Sequence, residues 1–279
     1  MTAPYIQFKK RRELGEILSD TFAFVRSTYK QLFQALIRTS LIPFILVVLA
    51  SVYYQYLSID LLANSGTDIG LGLGGLLLAS LLFYATAGAT VFSFIRQYDL
   101  GQSTEVNLDL VVPEAKRKIA SMIGLYLVTY VMLILGFMFF LIPGFYFLVP
   151  LALVIPLMVI RDTTVFGAVK QSFQLTSGYW WVTFGTIIVL VIVIAMMSFA
   201  FSVPALLYNI VKFILNSSEM TFAEAGRGDF IYLVLNALGT AASNLLSIVL
   251  LVALAFIYYD LDEEKNRTGL RQKIEELDR

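Results

Sequence analysis

Asn236, Thr240 and Asn244 stand four residues apart in a stretch without charge, with Ser243 and Ser247 beside them. Residues i and i+4 share a helix face, so these amides and hydroxyls predict one polar stripe. Small Gly239 and Ala242 intersperse it and permit close backbone approach. Such a stripe can line a site for a lipid headgroup or a small solute. It can equally hydrogen-bond a neighbouring helix, a role worth ~0.6 kcal/mol on average and up to ~2 kcal/mol, and the commoner of the two. No stronger reactive group competes with it. The sequence has no His and no Cys, which removes a histidine general base, a thiolate nucleophile, a His/Cys metal site and a disulfide. The carboxylates Asp60, Asp68, Glu219, Glu224 and Asp229 are scattered, without the pairing that acid–base work or an oxygen-ligated cation requires; they read as loop solvation. Gly70, Gly72, Gly74 and Gly75 lack the Lys-Ser/Thr that follows a phosphate loop and read as positions of close helix approach. No catalytic, cofactor-binding or metal-binding residue is expected. With 20 basic and 20 acidic residues there is no cationic field for a nucleic acid.

The elements that position the stripe are membrane spans. Of 279 residues 58% are hydrophobic and 14% charged, against about 45–50% and ~25% in soluble domains. Uncharged runs cover Thr39 to Ile59, Ile69 to Ile95, Ile119 to Ile160, Gln171 to Val211 and Phe230 to Tyr259. A span needs ~20 apolar residues to cross ~30 Å of hydrocarbon. The reading is an all-α polytopic integral membrane protein with six transmembrane helices, near residues 36–57, 71–98, 119–141, 145–160, 179–203 and 230–259. Ile142-Pro143-Gly144 is expected to break the long run into a hairpin. Pro150 and Pro156 are expected to bend the fourth span, and Pro204 to kink or end the fifth, with Ala205 to Leu215 continuing as helix or lying in the interface.

Residues 1–35 predict a cytoplasmic N-terminus with an amphipathic interfacial helix. Leu14, Ile17, Leu18, Thr21, Phe22, Val25, Tyr29 and Leu32 share one face. Asp162 to Gly178 has the same character, capped at its start by Asp162 or Thr163 and closed by Gly178. Thr104 to Lys118 is a third such segment, which Pro113 is expected to interrupt. Each precedes a pair of spans, which suggests three elbow-plus-hairpin repeats; cytoplasmic loops that merely happen to be amphipathic are the plainer alternative. Residues 260–279 form a charged cytoplasmic tail, a solvated end or a handle for a partner. All the basic residues except Lys212 and Arg227 fall on one side of the six-span topology, which places both termini in the cytosol. Lys9-Lys10-Arg11-Arg12 is followed by acidic and polar residues, so no cleavable signal is expected.

The stretch Leu141-Ile-Pro-Gly-Phe-Tyr-Phe-Leu-Val-Pro150, continuing through Ile155-Pro156 to Ala168-Val-Lys-Gln-Ser172 and Gly178-Tyr-Trp-Trp181, resembles a known pattern. A proline–glycine hairpin, an apolar span and a small-residue elbow feed an aromatic-led span. With the closing Phe256-Ile-Tyr-Tyr-Asp260-Leu, it is similar to the bacterial family named after the membrane domain of glycerophosphoryl diester phosphodiesterase. The resemblance implies a six-helix bundle in a bacterial inner membrane. It does not imply phosphodiesterase activity, which in fused relatives belongs to a separate barrel domain with His and carboxylate metal ligands. The expected function is therefore non-catalytic: a scaffold or accessory subunit in the lipid bilayer, holding a membrane or cytoplasmic partner through its elbow helices and tail. The alternative is a lipid-binding protein or a transporter of lipid or small solute that uses the stripe on the sixth helix.

Overall fold

The computed structural model describes residues 5–58, 66–139, 141–215 and 229–277. The helices are α1 (Leu14–Ser58), α2 (Gly66–Gly101), α3 (Leu108–Phe139), α4 (Leu141–Ile160), α5 (Val165–Thr176), α6 (Trp180–Leu215), α7 (Phe230–Asn266) and α8 (Thr268–Leu277). The fold is all-α, and six helices, α1 to α4, α6 and α7, are long and apolar enough to cross a membrane. The loop carboxylates Asp60, Glu219 and Glu224 lie outside the described residues.

The chain divides into two compact units, the first formed by Met1–Thr39, Ala85–Val191 and Ile248–Arg279. Its core is aromatic. Phe8, from the non-helical segment ahead of α1, stacks on Phe256 with ring centroids 4.5 Å apart and meets Phe24 edge-on at 5.1 Å. Tyr98 closes the cluster against Phe24 at 5.0 Å. Beside it, α4 packs between α3 and α5. Glycine makes the α3–α4 contact close: a Cβ on Gly136 would sit 3.1 Å from the Cα of Gly144. The second unit comprises Ser40–Tyr84 and Ile192–Ser247. There Gly239 lets α7 approach α6 until a Cβ would meet the Phe201 carbonyl oxygen at 3.1 Å, and Gly72 faces Leu57 so tightly that a Cβ would meet its Cδ1 at 2.7 Å. Leu49, Leu78, Phe199 and Leu207 are exposed on its outside, as befits helices solvated by acyl chains.

Several boundaries differ from the sequence reading, each for a physical reason. The N-terminal elbow and first span are one 45-residue helix, Leu14–Ser58. Gln34-Ala35-Leu36 offers no breaker, and Ala and Leu are among the strongest helix formers. Its buried face is also rotated from the expected one: Ile17, Thr21, Phe24, Thr28, Leu32 and Ala35 are buried, whereas Phe22 and Tyr29 are exposed. Thr21 and Thr28 behave as core residues because their hydroxyls donate to Ile17 O at 2.6 Å and Phe24 O at 2.8 Å on their own helix.

Pro113 does not interrupt its segment: α3 begins at Leu108 and runs through it. Pro143 and Gly144 belong to the first turn of α4 and not to the break, for a proline so near a helix start gives up no intrahelical bond. The elbow α5 is N-capped by Thr164, not by Asp162 or Thr163, while Gly178 has the expected positive φ of 86°. Pro204 is accommodated inside α6, which continues to Leu215, and α7 runs on through Asp260 to Asn266. Of the three elbow segments, only α5 is a helix of its own.

Candidate functional site

In the second unit α6 and α7 frame a cavity of about 390 Å³. Asn236, Thr240, Ser243 and Asn244 of α7 line it, together with Ser202 and Asn209 of α6, Tyr84 of α2 and Tyr232. The four-residue spacing read from the sequence thus sets one wall. Asn209 and Asn244 are buried, while Asn236 and Thr240 are half-buried. Asn244 Nδ2 donates to Thr240 O at 3.0 Å, Ser243 Oγ to Gly239 O at 2.9 Å and Ser247 Oγ to Asn244 O at 2.6 Å. These donors turn back onto α7 itself. Their oxygens keep lone pairs and the Asn244 amide keeps a second N–H; with the Asn236 amide added, the wall presents donors as well as acceptors. No charged side chain lines the cavity. Such a surface suits neutral hydroxyls, amides and esters rather than an ion.

Asp229 immediately precedes α7 and organises that end of the unit. Its carboxylate accepts from the N–H groups of Ile231 at 2.9 Å and Tyr232 at 3.2 Å, the pattern of an N-cap. It also accepts from the Tyr208 hydroxyl at 3.0 Å and from the Lys212 ammonium. The Lys212 hydrogen bond is the main cause that holds Asp229 down at about 2, with the Tyr232 and Ile231 N–H groups and the Tyr208 hydroxyl adding to it against a desolvation penalty. Sequence reasoning assigned Asp229 to loop solvation. Its position just before a long apolar run was the signal for a cap.

The first unit carries a layer of charge. Arg12 is the most buried member: its guanidinium donates to Asp20 at 2.8 Å, to Phe8 O at 2.7 Å, to Lys10 O at 3.0 Å and to Gln7 O, and lies 4.7 Å from the Phe256 ring centre. The Arg12 N–H donates to Asp260 at 2.7 Å. Arg96 pairs with Glu114 at 2.5 Å, Lys118 with Asp162 at 2.7 Å, Arg161 with Asp262, and Arg11 with Glu264. A cavity of about 420 Å³ beside Lys9, Arg11 and Glu264 opens among these groups, and its mixed charge leaves no one-signed field. The tail, expected to be a solvated end or a handle, begins inside this layer, with Leu261 and Asp262 buried. Among the described residues no cluster of three or more Asp or Glu is placed to hold a metal ion.

No curated protein and no solved structure matches the chain. A family model does, that of the membrane domain of glycerophosphoryl diester phosphodiesterase, over residues 118–279. The match begins at Lys118, buried against Val159 O where α3 meets α4, and takes in α4 to α8, including the wall that bears Asn236, Thr240 and Asn244. Covering more than half of the sequence, it shows that the chain belongs to the family of the glycerophosphoryl diester phosphodiesterase membrane domain.

Proposed function

We propose that this membrane protein is non-catalytic and holds an uncharged hydrogen-bonding group, the glycerol-ester region of a lipid, in the cavity between α6 and α7. The carrying observation is the cavity itself: about 390 Å³ lined by amides and hydroxyls, within a unit whose outer surface is apolar. Polar groups in such surroundings are costly unless paired. The Ser243 hydroxyl and the Asn244 amide meet that cost on their own helix, and the amide keeps a second N–H to donate to an ester carbonyl. A chain without His or Cys offers little for turnover. The distribution of basic residues, all but Lys212 and Arg227 on one side of the membrane topology, supports a bacterial inner-membrane protein with both termini cytoplasmic.

The test is native mass spectrometry of the purified protein with dioleoyl phosphatidylglycerol, comparing wild type with the Asn236→Leu/Asn244→Leu variant. The expected result is at least a tenfold loss of retained lipid with unchanged helicity. Equal retention by the two proteins refutes the reading.

A scaffold role is the second reading, favoured by Leu270 and Ile274, which are half-exposed one turn apart on α8. They would engage a membrane or cytoplasmic protein. Leu270→Glu/Ile274→Glu should release a co-purifying partner in mild detergent; a protein that is always isolated alone counts against this role.

A further inference from the structure

Both ends of α4 touch the same charged layer. At the C-terminal end, Arg161 Nε donates to the Tyr258 hydroxyl at 2.9 Å and the guanidinium pairs with Asp262. Near the N-terminal end, Tyr146 O accepts from Trp180 Nε1 at 2.9 Å, and the two rings stack 6.0 Å apart. The neighbouring Tyr179 donates its hydroxyl to Glu264 at 3.0 Å, and Lys265 lies 5.8 Å from the Tyr179 ring. Phe173 of α5 joins the same end, 6.2 Å from Tyr146, while Lys265 Nζ donates to the adjacent Gln174 O.

Along α4, Tyr146 and Arg161 are separated by about 22 Å at 1.5 Å per residue. Along α7, the residues that hold the two ends, Asp262 and Glu264, are only about 3 Å apart. A helix that crossed the bilayer alongside α7 would carry Tyr146 most of the way through ~30 Å of hydrocarbon, away from Glu264, Lys265 and the Arg11 paired with Glu264. Taking that charged group into the hydrocarbon with it is prohibitively costly. So α4 lies across α7, not beside it, and α3, which pairs with it from Lys118–Val159 to Gly136–Gly144, goes with it.

The tip then has a definite environment. Met138, Phe139, Leu141 and Ile142 are exposed, Ile142 at 83%. No charged residue occurs from Ile119 to Ile160. A tip reaching water on the far side would present this apolar cap to solvent with no polar residue to meet it. The geometry points to a hairpin that enters one leaflet from the side of Lys118 and Arg161, ends among its acyl chains, and returns without crossing. The partner of the α3–α4 tip is the hydrocarbon of that single leaflet. Four helices, α1, α2, α6 and α7, then make the crossings, and the chain ends remain on one side.

The sequence contains no Cys, so single cysteines report cleanly. Gly66→Cys and Gly101→Cys mark the two ends of α2, both open positions where a side chain meets nothing within 4 Å. A crossing hairpin would place Ile142 on the Gly66 face. With a membrane-impermeant maleimide on sealed vesicles of each orientation, Gly66→Cys and Gly101→Cys should label from opposite faces. Ile142→Cys should label from neither, and fully once the protein is denatured. A nitroxide on Ile142→Cys should be relaxed at least fivefold more effectively by oxygen than by a water-soluble nickel chelate. Phe145→Cys gives a second position if the first variant is poorly produced. Labelling of the tip from either face, or relaxation by the nickel chelate, overturns the proposal.

Discussion

Arg12 is the side chain on which the first unit most depends, and replacing it gives a sharp test of how that unit is held. Its side chain is 1% exposed, against 70% for the adjacent Arg11. In Arg12→Met, three backbone carbonyls (Gln7, Phe8 and Lys10) and the Asp20 carboxylate lose their donor. Asp20, which is 31% exposed, recovers water; the Phe8 carbonyl keeps the Lys10 N–H at 2.8 Å but loses its charged donor. A hydrogen bond to a charged group contributes about 1.5–3 kcal/mol. These bonds are not additive, and because Asp20 is left in water and not as an uncompensated buried charge, the net cost is about 3 kcal/mol. Arg11 pairs with Glu264 in solvent, where loss costs about 0–1 kcal/mol. The assay is trypsin nicking of the native protein in mild detergent at Lys9, Lys10 and Arg11, which requires the segment to open. At tenfold per 1.4 kcal/mol, Arg12→Met should raise the nicking rate about a hundredfold or more, and Arg11→Met less than about fivefold at its remaining sites. Arg12→Lys should recover only a small part, because an ammonium cannot reach carbonyls and carboxylate at once as the guanidinium fork does. Rates for Arg12→Met and Arg11→Met within threefold of each other would refute the assignment.

Two further outcomes follow from the second unit. The carboxyl of Asp229 sits below its unfolded value near 4, at about 2. Its stabilisation is therefore complete above about pH 4 and is lost as pH falls through about 2. The thermal midpoint of the wild type should drop over that window, whereas Asp229→Asn should start lower and change less; parallel profiles would contradict this. Gly239→Leu places a branched side chain where a Cβ alone would lie 3.1 Å from Phe201 O. The expected cost is about 1–3 kcal/mol from forcing α6 and α7 apart, read as a lower thermal midpoint, with Gly74→Leu, at an open position, as the neutral comparison.

The six long apolar helices were legible because absence of charge is a local property of sequence; what holds the two ends of α4 to one layer is not local. The stripe was legible for a similar reason: Asn236, Thr240 and Asn244 repeat at the helix period. What completes the cavity was not, since Asn209 and Ser202 lie on α6 and nothing local relates them to α7. The aromatic core was hidden in the same way, because Phe8 and Phe256 are distant in the chain. The face of α1 was read partly rotated: Ile17, Thr21 and Leu32 were placed on it, but Phe24, Thr28 and Ala35 were not, although Thr28 satisfies its hydroxyl on its own helix. Prolines misled in the opposite direction. Pro113 and Pro143 were read as breaks, but α3 runs through the first and the second stands in the first turn of α4; at Pro204, where both an end and a continuing helix were open, α6 continues to Leu215.

The bond from the Arg12 N–H to Asp260 joins residues separated by 248 positions. The ribosome therefore delivers Phe8 and Arg12 long before the Phe256 ring and the Asp260 carboxylate that hold them. Throughout that interval the early helices must reside in the bilayer with the segment ahead of α1 undocked. Closure of the first unit is accordingly a late event of biogenesis, completed only after α7 has inserted, and any stall in translation before that point leaves a basic, trypsin-sensitive leader hanging from an otherwise integrated chain.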